Sequence, residues 1–290
     1  MHEAARATRS RRPTGAPQTG WYHRFVEFVS LAALIHALPE GVPDATWLSA
    51  ALQLNWSASS TTGVRAWSVG GVQDNETLVQ SRPVVRDPKA DFLADLLRVP
   101  TQTTLAAYAA LPVGHGDQDR PMPAIAMTRF QRWVGVRAEA NLDADARAAL
   151  RAALPDFLVR SSASEPGDRE LAVFGFLANL HADGGLGKAY ASPEQIRRAL
   201  DALDERLGRP DPFNLIVCDG RTVGVLHRGG RFVALEPPTQ ARPRAIAQPP
   251  SRAAGAVLLF DPTPGPNPGG PVVAPGVFTT SVRQPGVLER

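Results

Sequence analysis

The chain has 290 residues, 43% hydrophobic and 20% charged, enough for one large domain or two small ones. No apolar run approaches the length of a bilayer-spanning helix, which argues against a helical membrane protein. The formal net charge of +3 sits entirely in residues 1–20, as Arg6, Arg9, Arg11 and Arg12 minus Glu3. Residues 21–290 are neutral by the same count, so nucleic acid is not an expected partner.

Ser10-Arg11-Arg12 has the outline of a twin-arginine export signal. No apolar stretch follows it between Pro13 and Gly20, so residues 1–20 are read as a disordered basic tail. The single cysteine, Cys218, leaves no intrachain disulfide and fits a reducing cytoplasm, the expected location. Residues 21–290 are read as one domain.

A first strand is expected over Arg24–Val29, then a short helix over Leu31–Leu38 that stops at Pro39 and Gly41. Asp44 caps a second helix carrying Trp47, Leu48, Ala51 and Leu52. Strands follow over Val64–Val69 and Glu76–Gln80, with Gly70-Gly71 as a break. Asp87-Pro88 opens a helix whose apolar face is Phe92, Leu93, Leu96 and Leu97. Thr103–Ala110 reads as a buried strand, 112–123 as a loop, and Arg129–Arg137 as one strand.

Asp143 caps a helix that ends before Pro155. Leu171, Phe174, Leu177 and Ala178 put a helix over Arg169–Leu180, and Gly184, Gly185 and Gly187 form a connector. Ser192 with Gln195 makes a capping box, and Ile196, Leu200, Leu203 and Leu207 continue that helix until Gly208 and Pro210 end it. Phe213–Cys218, Thr222–Leu226 and Arg231–Leu235 read as a three-strand meander built on the Asp219-Gly220 turn. Residues 236–255 form a loop rich in Pro, Ala and Arg. Ala256–Phe260 and Val277–Val282 return as strands. Antiparallel strands with grouped helices predict an α+β fold.

Four stretches resemble the class II glutamine amidotransferases. Trp133–Leu142 and the helix after it resemble the strand, turn and helix that carry the family's His-Asn-Gly. Asp168-Arg169-Glu170-Leu171 resembles Asp-Ser-Glu at the next helix. Phe213–Thr222 is similar to the Asn-Leu-Leu-Leu-x-Asp-Gly hairpin, and Ala256–Pro262 to a late strand ending in Ser-Glu-Pro. The resemblance covers roughly residues 22–285 and is nearest to the stand-alone branch that includes the ergothioneine-pathway amidohydrolase. It implies the N-terminal nucleophile hydrolase fold, a four-layer αββα sandwich of two antiparallel sheets.

The resemblance also implies a site, which this sequence fills differently. Family enzymes attack an amide with an N-terminal cysteine whose own α-amino group is the base. His23 occupies that place here, with residues 1–22 ahead of it. Ala109 stands where the family's arginine clamps the substrate carboxylate, a contact alanine cannot make. Arg137-Ala138-Glu139-Ala140-Asn141 replaces the oxyanion-hole turn. Asp168 matches the aspartate that receives the substrate's α-amino group, and Arg169 replaces a small serine beside it. Cys218 lies on the hairpin strand and is read as a small buried hydrophobe.

His36, His115, His181 and His227 show no metal-ligand spacing, and no metal or cofactor is expected. Gly184–Gly187 lacks the Lys-Ser/Thr of a phosphate loop. The expected function is that of a degenerate, catalytically inactive amidotransferase-like protein acting as a binding or accessory subunit. Its partner would be a protein encoded nearby, or a small amide or amino-acid ligand. The alternative is an amide hydrolase or amidotransferase-type enzyme rebuilt around His23 and Asp168, with Glu139 or Arg137 assisting.

Overall fold

The computed structural model describes residues 30–36, 65–73, 76–85, 103–110, 125, 127–139, 141–162, 165–235, 255–261, 272–282 and 284–289. Their strands form two antiparallel six-stranded sheets. The first contains β1 (Ser30–His36), β2 (Arg65–Gln73), β3 (Glu76–Val85), β4 (Thr103–Ala110), β9 (Arg231–Leu235) and β10 (Gly255–Asp261). Its order is β3-β2-β4-β1-β10-β9. The second contains β5 (Thr128–Phe130), β6 (Trp133–Arg137), β7 (Phe213–Cys218), β8 (Thr222–Arg228), β11 (Gly276–Ser281) and β12 (Gln284–Glu289). Its order is β12-β11-β8-β7-β6-β5.

Among the described residues four helices join them: α1 (Ala144–Ala153), α2 (Asp156–Val159), α3 (Asp168–Ala182) and α4 (Pro193–Arg206). α1, α3 and α4 pack on the outer face of the second sheet. Alternation along its strands divides two cores. Trp133, Phe213, Leu215, Val217 and Leu226 meet the helices. Val134, Val136, Ile216, Cys218 and Val225 meet Leu31, Leu105, Phe232 and Phe260 of the first sheet. Helix, sheet and sheet are thus three layers in contact, and the fold is α+β. The helices expected near 44–52 and 87–97 fall outside the described residues, as does the strand expected over Arg24–Val29.

Local signals were followed closely. Asp143 accepts from the amide of Ala146 and caps α1. The Ser192–Gln195 capping box forms in full at α4. Asp219 accepts from the amides of Arg221 and Thr222, closing the β7–β8 hairpin.

Several elements differ from expectation. Residues 31–36, read as helix, form β1 between β4 and β10, so pairing on both edges overrides their Leu/Ala composition. Arg129–Arg137 is a hairpin rather than one strand, because Gln131 turns the chain with φ 51°. Gly70-Gly71 does not break β2. A side chain at Gly70 would collide with Met127 Sδ, so the glycine admits the second sheet. The meander is also corrected. Gly229 and Gly230, at φ 74° and 76°, turn the chain out of the second sheet, and β9 pairs with β10 in the first. β12 and α2 were not anticipated. In α3, every residue from Leu171 to Leu180 is buried, not one stripe.

Gly224 shows how closely α4 sits on β8. A Cβ there would lie 2.6 Å from Ile196 Cγ2 and 2.9 Å from Leu200 Cδ1. Gly224→Val should therefore destabilise the fold by about 1–3 kcal/mol through overpacking. Gly187→Ala, which meets nothing within 4 Å, should change stability by less than about 0.5 kcal/mol. Urea midpoints of the two variants against the parent chain test this pair.

Candidate functional site

The strand register brings one end of each sheet together. β6 ends at Arg137 beside Leu215, near the start of β7. His227, at the end of β8, pairs with Asn214. On the first sheet, Leu31 at the start of β1 pairs with Phe260, and Phe260 with Phe232. The His227 ring centroid lies 5.3 Å from Phe232 and 5.9 Å from Phe260, so the ring sits between the sheets. Ala109 is at this end of β4, paired with Ala66. His23 lies outside the described residues.

Glu139 is 4% exposed and accepts from both the amide N and the Nδ2 of Asn214, at 2.9 and 2.7 Å. Asn214 Nδ2 also donates to the Arg228 carbonyl, and Asn214 Oδ1 accepts from the Arg228 amide. Those contacts fix the orientation of the Asn214 amide. Its Oδ1 lies 2.6 Å from His227 Nδ1, which must then be the donor. His227 is therefore held as the Nδ1–H tautomer. Burial, aided by the charge of Arg228 and opposed by Asp211, lowers its pKa from 6.5 to about 4.

Arg137 turns toward the helix side of the sheet. Its guanidinium stacks 4.6 Å over Phe213, with Nε 3.2 Å from Glu139 Oε2, and Nη2 donates to the Asn141 carbonyl. Burial lowers its pKa, against the pull of Glu139. Arg169 Nη2 donates to the Ala138 carbonyl. Burial and the Arg137 charge lower the Arg169 pKa to about 10, while Glu139 opposes. The turn expected to replace the oxyanion hole is thus occupied by two arginines and one carboxylate.

Asp168 opens α3 and is bound by the chain itself. Arg147 donates from Nε and Nη2 to its two oxygens at 2.8 and 2.7 Å, and the Leu142 amide adds a third bond at 2.7 Å. Burial raises the Asp168 pKa, but the bonds from Arg147 and Leu142 and the nearby charges outweigh it and hold the carboxyl below its ordinary value. Cys218 is fully buried, and its thiol is pushed up to about 12, chiefly by burial. Such a thiol is not a thiolate nucleophile near neutral pH. Among the described residues no three His, Cys, Asp or Glu side chains could hold a metal ion. No described helix is long and apolar enough to cross a membrane.

Sequence reasoning singled out Arg137, Glu139 and Asp168 and missed Asn214, His227 and Arg147. Arg147 is one of two arginines on α1, a helix with no motif to mark either of them. Asn214 and His227 could have been paired by reflecting the strands about the Asp219-Gly220 turn, which sets them opposite each other.

No protein-family model matches the chain, and no curated protein sequence matches it. Solved structures similar to it include a glutamine aminotransferase class-II domain protein from Silicibacter pomeroyi, at 14% identity, 87% coverage of this chain, 94% of that chain, and TM-score 0.47. A predicted glutamine amidotransferase from Pseudomonas aeruginosa is similar at 10% identity, 88% and 98% coverage, and TM-score 0.47. The glutamine phosphoribosylpyrophosphate amidotransferase of B. subtilis is similar at 9% identity, 79% and 41% coverage, and TM-score 0.39.

The buried imidazole makes stability depend on pH. Between pH 6.5 and 4 the unfolded chain takes a proton at His227 that the folded chain refuses. Folding stability therefore falls with pH across that window, by on the order of 3 kcal/mol from this group, and is unaffected by it above 6.5. His227→Gln should be less stable at pH 7 yet lose less between pH 6.5 and 4. Urea unfolding at stepped pH measures both slopes, and parallel slopes would contradict the assignment.

Proposed function

We propose that this chain is a glutamine amidotransferase-like protein without glutaminase chemistry, acting as a binding or accessory subunit. The observation that carries the reading is the Asp168 carboxylate, whose two oxygens already take three hydrogen bonds from Arg147 and Leu142. A substrate ammonium would have to displace a bidentate arginine, among the stronger side-chain pairings. The Cys218 thiol is held by burial in its protonated form. Arg137 pairs with Glu139 in the turn, and Arg137 and Arg169 each donate to a backbone carbonyl there.

The partner under this reading is a protein encoded nearby or a small amide or amino-acid ligand, in the cytoplasm. An amide hydrolase rebuilt around His23 and Asp168 would need the Asp168 carboxylate free, so the same ion pair weighs against it. Purified protein given L-glutamine or a γ-glutamyl amide should release ammonia or amine at the rate of a protein-free blank. Turnover well above the blank that survives Cys218→Ala but is abolished by Asp168→Asn would overturn the reading in favour of a rebuilt site.

A further inference from the structure

Arg137 is a buried side chain whose donors the chain leaves partly unused. Its side chain is 3% exposed, and Nη2 donates to the Asn141 carbonyl. Nε faces Glu139 Oε2 at 3.2 Å without a hydrogen bond, and Nη1 has no hydrogen-bond partner among the described residues. That nitrogen carries two N–H groups. Burying them without an acceptor is costly, the more so on a charged group, and calls for an occupant. Glu139 is not free to turn toward Nη1, because its two oxygens hold the side chain and the backbone amide of Asn214.

Charge defines what that occupant can be. Arg169 lies close enough for the Arg137 charge to oppose its own, and Glu139 attracts both guanidiniums. Asp168 also attracts Arg137, but both its oxygens are taken by Arg147 and the Leu142 amide. Asp143 is exposed and caps α1. Two guanidiniums around one carboxylate leave a single positive charge in excess. A water at Nη1 would supply an acceptor and leave that charge standing, a cation would be repelled, and a dianion would set a second negative charge against Glu139. The low exposure of Arg137 restricts the occupant to a compact one. Val134, Val136 and Ala138 face the first sheet, whereas Arg137 stacks over Phe213 in the helix-facing core. The unused nitrogen therefore lies beside the loop between β6 and α1, on the helix side and not between the sheets.

We infer that Arg137 Nη1, with the Arg169 guanidinium near it, forms a binding site for a small, singly charged oxyanion of the carboxylate or bicarbonate kind. The site is separate from the accessory role proposed above, and its test does not depend on glutamine turnover.

The test uses formate, the smallest carboxylate, with the full chain at pH 7. In crystals grown with formate, one of its oxygens should lie about 2.9 Å from Arg137 Nη1. A water at Nη1, or no occupant, would overturn the inference. In solution the urea midpoint should rise with formate and then level off, with ionic strength held constant by a bulky sulfonate salt. Sodium chloride in place of formate should give a smaller rise, and an equal one would overturn the oxyanion assignment. Arg169→Gln removes the excess charge and should raise the formate concentration of half-effect by about tenfold, the worth of one charged hydrogen bond. A midpoint that climbs without levelling, or climbs equally in Arg169→Gln, reports a general salt effect and would overturn the inference. Formate seen in the crystal with no saturable effect in solution is binding at crystal concentration only and would do the same. Both readouts on the parent chain decide the matter even where Arg169→Gln fails to fold.

Discussion

The buried Glu139 carboxylate is the tie on which this end of the molecule depends. It follows β6 directly and reaches across to the backbone and side chain of Asn214 on β7. Asn214 in turn grips both backbone groups of Arg228 and the imidazole of His227 on β8. One carboxylate therefore fixes three neighbouring strands of the second sheet. It also sets the tautomer of a ring lying between the sheets. Burying a carboxylate is costly unless it is bonded and paired, and here two amide donors bond it and the Arg137 guanidinium lies 3.2 Å away. Removing Glu139 would leave Arg137 buried without its ion-pair partner, so the two charges stand or fall together.

The same pairing of charge shapes the N-terminus of α3. Asp168 is favoured there by the helix dipole, and Arg147 from α1 clamps it. The Leu142 amide joins them, so the loop between β6 and α1 is held against α3. Asp168 and the Arg137–Glu139 turn, which the resemblance to amidotransferases assigns to a substrate, have internal partners in this chain. Such a constellation stabilises a local architecture. The His227 imidazole lies on the other face of the sheet from Arg137, against Phe232 and Phe260.

Much of the fold was legible because its signals are local. The Ser192 capping box, the Asp143 cap and the Asp219-Gly220 turn act through neighbours in sequence, and each formed as read. The failures lie where distant contacts decide. Leu31–His36 has a helical composition, and only strands on both sides make it β1. Gly70 looks like a breaker until the second sheet is seen pressing on it. Arg231–Leu235 follows β8 by two residues yet belongs to the other sheet, a choice set by β10 some twenty residues later. The site was half legible for the same reason. Arg137, Glu139 and Asp168 stand in motif-like stretches, whereas Arg147 and His227 gain their roles only from what they touch.

The most direct test of the account is a crystal structure determined with saturating L-glutamine, read at Asp168. The account predicts that Arg147 Nε and Nη2 and the Leu142 amide still occupy both carboxylate oxygens, as they do without ligand. A glutamine ammonium seated on Asp168, with the Arg147 guanidinium swung away, would contradict it.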